Sequence, residues 1–376
     1  MAASRRSEAE QQALDRRYMA AALRLSRRNA GRTATNPAVG TLIVRDDGSG
    51  PMIVGTGVTA IGGRPHAEAE ALAKAGELAR GATAYVTLEP CAHHGRTPPC
   101  ADALVNAGII RVVGAASDPD PRVSGKGYAI LRAAGIEVVE RVLAAEASDQ
   151  MAGYLIRSLK KRPEATLKLA LSSDGKIGRR GQGQVTITGE IARREVQMMR
   201  AEADAILIGV GTAIEDDPAL TVRLPGLENR SPARIVLDRR LSLPETSKLV
   251  AGADRVPLYV AVSENADPRR KVALERRGVR FIGTDTHDGA IALPELMEDL
   301  AALGIASVLV EGGAATTSAF LEDDLVDRIV LFRGAGEIGA DGVASPIDAD
   351  HIPAGFRKSR EMRFGDDSYA EWVRDF

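Results

Sequence analysis

The chain has 376 residues, 44% hydrophobic and 27% charged, with a formal net charge of −2, which is too long for one ordinary core and suggests two or three domains of a globular protein. Aromatic residues make up only 3% and the Lys and Arg residues are scattered, so the basic, aromatic-studded face of a nucleic-acid binder is absent. No apolar run reaches the ~20 residues of a membrane span, Met1-Ala2-Ala3-Ser4-Arg5-Arg6 is not followed by the apolar stretch of a secretory signal, and two cysteines nine positions apart point to a reducing cytoplasm and not to a disulfide framework.

Residues 9–30 read as an amphipathic helix with Leu14, Tyr18, Ala21, Ala22 and Leu25 on one stripe. Asn36-Pro37 breaks that pattern and leads into a strand, Val39 to Val44. A Gly/Asp/Ser turn then gives a second strand, Met52 to Val58, so the two form a hairpin. A helix should open at His66 and run to about Lys74. Ala84 to Leu88 is a short apolar strand that ends in Glu89-Pro90-Cys91. Pro99 and Cys100 start another helix, Pro suiting a first turn. Strand Ile110 to Ala115, helix Gly127 to Ala134 and strand Ile136 to Val142 complete an alternating α/β unit over residues 1–148.

Within that unit stand His66-Ala67-Glu68, Pro90-Cys91 and Cys100. A buried cysteine is commonly just a small hydrophobe, but both cysteines of the chain fall in this one ordered set. Zinc takes N and S donors in a tetrahedron, and a catalytic zinc keeps three protein ligands and one open position. His66, Cys91 and Cys100 supply the three, for about one zinc per chain. Glu68 is the proton shuttle and not a ligand: it takes a proton from a zinc-activated water and passes it to a ring nitrogen and then the leaving amine. Both ligand pieces sit where a loop enters a helix, and the free N–H groups there favour thiolate. Zinc proteases use His-Glu-x-x-His, which the chain lacks. Base deaminases acting on nucleic acids typically use Pro-Cys-x-x-Cys, whereas eight residues, Ala92 to Pro99, separate the cysteines here. His93, His94, Gly95 and Arg96 in that loop are candidates for recognising a charged or polar substrate group.

Residues 149–163 read as a connector, ending in Leu159-Lys160-Lys161-Arg162-Pro163, and basic clusters such as this one look like solvated helix ends and linkers. The second unit, 164–376, begins with strand Thr166 to Leu171. Helix Gly189 to Ala201, strands Ala205 to Ile208, Ile235 to Leu237 and Leu258 to Val262, and helices Asp267 to Arg277 and Leu293 to Leu303 follow. Strand Ser307 to Val310 and helix Ala315 to Leu321 come after them, and the alternation implies a largely parallel, twisted sheet. Strand ends carry Ser172-Ser173-Asp174-Gly175, Gly209-Val210-Gly211-Thr212 and Glu311-Gly312-Gly313-Ala314. Glycines at strand-to-helix turns let a phosphate approach the N–H groups of a helix start. No Gly-x-Gly-x-x-Gly with a later acidic residue appears, so a Rossmann assignment is unsupported. Three such turns in one unit favour a nucleotide site at the C-terminal edge of the sheet.

The run Thr87-Leu88-Glu89-Pro90-Cys91-Ala92-His93-His94-Gly95-Arg96-Thr97-Pro98-Pro99-Cys100, with Asn36-Pro37-Ala38-Val39-Gly40 and Gly63-Arg64-Pro65-His66-Ala67-Glu68, closely resembles the bacterial bifunctional riboflavin-biosynthesis deaminase/reductase family. Lys168 to Lys176, Arg200, Asp216 to Arg223 and Leu237-Asp238 extend the resemblance over nearly the whole chain. It implies a cytidine-deaminase-like α/β/α first domain that removes the 2-amino group of 2,5-diamino-6-(5-phosphoribosylamino)pyrimidin-4(3H)-one. It implies a dihydrofolate-reductase-like α/β second domain that uses NADPH to reduce the ribosyl to a ribityl chain.

Carried over by position, the resemblance implies Asn36 as a substrate contact in the first domain. In the second, Ala170, Thr186, Thr212, Asp216, Gly313, Ala314, Ala315, Thr316, Thr317, Ser318 and Ala319 face NADPH. Gln184, Arg200, Leu220, Arg223 and Glu311 face substrate, with Arg200 and Arg223 as a bidentate clamp on the 5′-phosphate. Lys168 or Glu311 assists ring opening by proton transfer. Arg239 is a candidate for the 2′-phosphate of NADPH. The family often has Pro at position 35, an aromatic around Val185-Thr186 and Pro around Arg333-Gly334, so Thr35, Thr186 and Gly334 are departures; Thr186 is expected to weaken nicotinamide packing. A homodimer through the second domain is also expected, although the residues themselves do not fix oligomeric state. The rival reading keeps the deaminase and makes the second domain a non-catalytic scaffold; intact Lys168, Asp216, Arg223 and Glu311 count against it. A nucleic-acid-editing protein is disfavoured by the charge, the scarce aromatics and the long loop between the cysteines.

Overall fold

A computed structural model of the chain describes residues 6–93, 98–287 and 289–374; His94, Gly95 and Arg96 of the cysteine loop lie outside them. The chain divides into two compact units, Met1–Lys160 and Lys161–Phe376.

In the first unit α1 (Glu8–Ser26) is opened by a capping box: Ser7 accepts from the Glu10 N–H while the Glu10 carboxylate accepts from the Ser7 N–H. Strands β1 (Gly40–Asp46) and β2 (Pro51–Val58) form the expected antiparallel hairpin. Then come α2 (Ala67–Ala75), β3 (Thr83–Leu88), α3 (Cys100–Asn106), β4 (Arg111–Ala116), α4 (Lys126–Ala133) and β5 (Glu137–Val139). The sheet order is β2-β1-β3-β4-β5, with β3, β4 and β5 parallel. Its core is rich in Ala, Val and Leu, from Met19 and Ala22 of α1 to Leu104 of α3 and Leu131 of α4. A buried polar network ties α1 to the sheet: Arg111 grips Asp15 through two 2.8 Å hydrogen bonds, and the Tyr85 hydroxyl donates to the same carboxylate at 2.9 Å.

Helices α5 (Ala144–Gln150) and α6 (Ala152–Lys160) occupy most of the expected connector. Ala147 and Met151 are buried in the first core, and Tyr154 and Leu155 pack against it. Arg162 is not a solvated linker residue. It is buried and forms a bidentate pair with Asp327, whose carboxylate also accepts the Ala165 N–H at 3.0 Å.

The second unit runs β6 (Glu164–Leu171), β7 (Lys176–Arg179), α7 (Glu190–Glu202), β8 (Ala205–Gly209), α8 (Val210–Asp216), β9 (Ala233–Leu237), α9 (Lys248–Ala251), β10 (Leu258–Ser263) and α10 (Pro268–Glu275). It continues through β11 (Arg280–Thr284), the small hairpin of β12 (Thr286–His287) and β13 (Ala290–Ile291), α11 (Leu293–Ala302), β14 (Ser307–Glu311) and α12 (Ala314–Glu322). Strands β15 (Arg328–Arg333), β16 (Gly342–Ala344), β17 (Phe356–Phe364) and β18 (Asp367–Arg374) complete it. A nine-stranded sheet has the order β11-β10-β9-β8-β14-β6-β15-β18-β17. It is parallel from β11 to β15, as the alternation implied, and closes with an antiparallel hairpin.

Strand β6 shows why one edge of this sheet can carry a site. Its side chains alternate with period two. Ala165, Leu167, Leu169 and Leu171 are buried in the core, while Thr166, Lys168 and Ala170 are only half-buried on the opposite face.

Candidate active sites

The first site is built on the seam between β2 and α2. Alanines at 67, 71 and 75 give α2 a smooth face. Glycines at 55 and 57 let that face lie directly on β2: a Cβ on Gly57 would stand 1.9 Å from the Ala67 carbonyl oxygen, and one on Gly55 would stand 2.2 Å from that of Ala71. The fit fixes the start of α2, where His66 is the N-cap residue and Glu68 lies buried in the first turn. On the other side β3 runs out into Glu89-Pro90-Cys91. The Glu89 carboxylate accepts the Gly125 and Gly127 N–H groups, both at 3.0 Å, and so anchors this turn to the start of α4.

The sulfurs of Cys91 and Cys100 lie 3.7 and 3.4 Å from His66 Nδ1, and all three donor atoms fall within 4.8 Å of one another. Bond lengths of about 2.3 Å to sulfur and 2.05 Å to nitrogen at a tetrahedral zinc place N and S about 3.6 Å apart. The donor set and its spacing therefore fit zinc. The backbone N–H of Cys100, at the start of α3, donates to Cys91 Sγ at 3.2 Å, which is the helix-start stabilisation of thiolate expected from the sequence.

Hydrogen bonds from Cys100 and His66 outweigh burial and lower the Cys91 thiol to about 4. Its hydrogen bond with Cys91, reinforced by burial, pushes the Cys100 thiol up. The bond to Cys91 raises the His66 imidazole against the opposing pull of burial. Burial, and then the negative Cys91 beside it, push Glu68 up to about 7. A carboxyl group poised there can both take and give a proton at neutral pH.

Around this centre Asn36 lies over Gly63, where a Cβ would come within 2.2 Å of its Nδ2. That contact brings the Asn36 loop against the segment leading into His66. The His93 Nδ1 is buried with no hydrogen-bond partner among the described residues. Two features escaped the sequence reading: Glu89, and the buried Asp118 after β4, whose carboxylate accepts the Tyr154 hydroxyl at 2.9 Å and whose pKa is raised by burial. Nothing but their place after a strand end marked either one.

The second site is a cleft of about 1660 Å³ over the C-terminal edge of the nine-stranded sheet. Adjacent β8 and β14 both pass directly into helices there. Gly209 and Gly313, the residues at which those helices begin, serve close helix approach. A Cβ on Gly209 would meet Thr316 Oγ1 at 2.6 Å, and one on Gly313 would meet Thr212 Oγ1 at 3.0 Å. Ala170, Thr186, Thr212, Asp216, Gly313, Ala314, Ala315, Thr316 and Ala319 line the cleft, as do Gln184, Arg200, Arg223, Arg239 and Glu311. Thr317, Ser318 and Leu220 are not among its lining residues. Thr317 is fully buried on the inner face of α12, because on a helix a residue faces away from those two positions off. Leu220 is buried in the core beside α8, with a positive φ of 51°.

Parallel pairing of β14 and β6 sets Glu311 directly beside Lys168. The carboxylate is held by Arg200 through Nε at 2.7 Å and Nη2 at 2.9 Å, while Lys168 Nζ stands 4.0 Å away. Burial alone would raise Glu311, but the Arg200 and Lys168 charges and the Arg200 hydrogen bonds hold it at about 2. Lys168 is lowered by burial, partly offset by Glu311. Of the two arginines expected at the phosphate, Arg223 is exposed in the cleft, and Arg200 lines it while giving Nε and Nη2 to the Glu311 carboxylate. The departures are accommodated locally. Arg333 donates to the Ser173 carbonyl, and Gly334 lets the Ile187 carbonyl come so close that a Cβ would meet it at 2.1 Å.

The family model described as the RibD C-terminal domain matches residues 163–367, and that described as the cytidine and deoxycytidylate deaminase zinc-binding region matches residues 12–116. The riboflavin biosynthesis protein RibD of Aquifex aeolicus is 40% identical over 360 residues, covering 94% of this chain and 97% of that protein. Its counterpart from Escherichia coli K12 is 39% identical over 338 residues, 87% of this chain and 89% of that one. Among solved structures, Acinetobacter baumannii RibD, form 1, superposes with a TM-score of 0.83 at 35% identity, covering 97% of this chain and 100% of that one. A diaminohydroxyphosphoribosylaminopyrimidine deaminase/5-amino-6-(5-phosphoribosylamino)uracil reductase from Thermotoga maritima gives 0.83 at 32% identity, covering 97% and 100%.

Proposed function

The chain belongs to the RibD family of bifunctional riboflavin-biosynthesis enzymes, and we propose that the residues gathered in its two sites carry that family's zinc-dependent deamination and NADPH-dependent reduction. The first step is assigned to Met1–Lys160, which takes in α5 and α6 of the expected connector 149–163, and the second to Lys161–Phe376. The substrate of the first is the 2,5-diamino-6-(5-phosphoribosylamino)pyrimidin-4(3H)-one expected from the sequence. The donor triangle of His66, Cys91 and Cys100, spaced for a tetrahedral ion beside a buried Glu68, carries this reading.

His66, Cys91 and Cys100 would hold the zinc, which when bound would make a water acidic enough to ionise at neutral pH. Glu68 would move both protons of the attacking water in turn, the first to the ring nitrogen and the second to the departing amine. Ammonia leaves and a carbonyl remains. Burial of Glu68 suits this, since a carboxyl near neutrality exchanges protons in both directions. Asn36 contacts the substrate from the loop over Gly63.

In the second unit NADPH, when bound, supplies hydride for converting the ribosyl to a ribityl chain. The adjoining starts of α8 and α12 offer free N–H groups to its phosphates, with Ala170, Thr186 and Asp216 along the same cleft and Arg239 facing the 2′-phosphate. Gln184 and Arg223 face the substrate, Arg223 toward its phosphate. Lys168 and Glu311 sit where a proton must move as the ribose ring opens. We further propose a cytoplasmic homodimer formed through the second unit, with no nucleic-acid partner; no described helix is long and apolar enough to cross a membrane.

One coupled assay tests the whole. On the diaminopyrimidine substrate the chain should release ammonia and then oxidise NADPH in equal amounts. Ammonia release without NADPH oxidation would leave only the deaminase.

A further inference from the structure

We infer that Glu89 is a positioning residue of the zinc centre: its buried carboxylate, tied to the start of α4, holds Cys91 in place as a donor. The inference deepens the deaminase reading above and rests on it.

Cys91 is the donor that needs such a hold. His66 is the N-cap of α2 and Cys100 is the first residue of α3, so each is placed by a helix. Cys91 belongs to no helix or strand. The Cys100 N–H donates to its sulfur and the Ala101 N–H to its carbonyl, both at 3.2 Å. Those two bonds join Cys91 to α3 and leave its place relative to the sheet to be set from the other side.

Glu89 sets it. The residue is only 3% exposed. Its N–H donates to the Ala116 carbonyl at 3.0 Å, extending the parallel register that puts Leu88 beside Ala116. Its two carboxylate oxygens are taken separately, one by the Gly125 N–H and one by the Gly127 N–H, both at 3.0 Å. The N–H groups of Asp118 and Tyr128 reach the same carboxylate. Gly127 lets α4 close on the turn, since a Cβ there would stand 2.0 Å from the Pro90 carbonyl oxygen.

From Glu89 to Cys91 the chain passes through one proline. Pro90 has a fixed φ and confines the residue before it to extended backbone, so the position of Glu89 is passed on with little slack. A neutral amide at position 89 would turn an NH2 group toward an N–H that now meets an oxygen, and the turn would have to draw away from α4. The Cys91 sulfur would move with it, whereas a metal site tolerates only ~0.2 Å in its bond lengths. A carboxylate that merely capped α4 would steady that helix without acting on zinc.

The test uses the full chain loaded with zinc and a competing chelator. In Glu89→Gln we expect zinc affinity to fall about 10- to 100-fold, as when a group that orients a metal ligand is lost. With cobalt in place of zinc, the sulfur-to-cobalt absorption should shift or weaken as well. Leu131→Ala opens a cavity on the buried face of the same helix. It should lower the melting temperature at least as much, yet keep the zinc affinity and cobalt spectrum of the parent. If affinity simply follows melting temperature in both variants, or does not change in Glu89→Gln, the inference is overturned. Should Glu89→Gln fail to fold, hydrogen exchange in the parent decides, because coupling between two places is reciprocal. Zinc should slow exchange of the Gly125 and Gly127 amides about tenfold more than that of the α1 amides, and equal slowing overturns the inference. A parent chain that holds no zinc would sink the deaminase reading before Glu89 comes into question.

Discussion

At the scale of single residues, chemistry here depends on groups whose protonation is set by their neighbours. Glu68 is buried beside Cys91 and Cys100 and is pushed up to about 7, yet it supplies none of the three clustered donor atoms. Glu68→Gln should therefore retain about one zinc per chain by metal analysis and lose deamination by a factor on the order of 10² or more. Cys91→Ser removes a donor and should lower the zinc content; full stoichiometry in that variant would refute the ligand assignment. Glu311 shows the opposite environment, held at about 2 because the charges of Arg200 and Lys168 overcome its burial. A carboxylate depressed in the folded state stabilises the fold above its unfolded pKa, and that stabilisation drains away as pH falls toward the folded value. The melting temperature of the second unit should thus drop as pH falls from about 5 toward 2. Glu311→Gln should be less stable at neutral pH, where it strands a buried arginine, and less sensitive to acid across the same window.

At the scale of elements, the zinc centre is held in place by how closely α2 lies on β2. The Gly57→Ala change would put a Cβ 1.9 Å from the Ala67 carbonyl, so the helix that begins after His66 must move. Overpacking of this kind costs about 1–3 kcal/mol. We expect a lower melting temperature together with weaker zinc retention against a chelator, whereas Gly283→Ala, with no atom within 4 Å of its Cβ position and no left-handed backbone, should keep zinc fully. Periodicity alone made α2, β3 and β14 legible, and the ordered His66, Glu68, Cys91 and Cys100 were readable because few other functions need those residue types in that order. Some other parts had no local signal. Strand β17, Phe356–Phe364, is exposed on both faces along most of its length, so it lacks the alternation that marks a half-buried strand and exists through its pairing with β18. Strand β15, with the apolar run Ile329-Val330-Leu331-Phe332, was legible but passed over. Arg162 looked like part of a solvated basic cluster because its partner Asp327 is 165 positions away. The pairing of Arg200 with Glu311 was hidden for the same reason: the sequence shows both residues, but not that positions 111 apart meet.

At the scale of the whole molecule, two chemistries share one chain without sharing residues. The clustered zinc donors run from His66 to Cys100, inside Met1–Lys160, and the residues of the cleft all lie within Lys161–Phe376. Each unit also has buried clusters of its own: the first from Tyr18 to Met151, those of the second from Ala165 to Trp372. Removing the ion from the first unit should therefore leave the core and cleft of the second intact. After chelation of zinc, ammonia release from the diaminopyrimidine should be lost and should return when zinc is restored. NADPH oxidation on already deaminated substrate should continue throughout at an unchanged rate. Arg223→Ala provides the reciprocal test, since loss of a charge-assisted phosphate contact costs about 1.5–3 kcal/mol, or on the order of tenfold to more than a hundredfold in the kcat/KM of reduction, while ammonia release should be spared. Two activities that fell together, in a protein shown to be folded after either treatment, would mean that the sites are energetically coupled. The two steps would then have to be treated as one composite reaction instead of two independent ones in series.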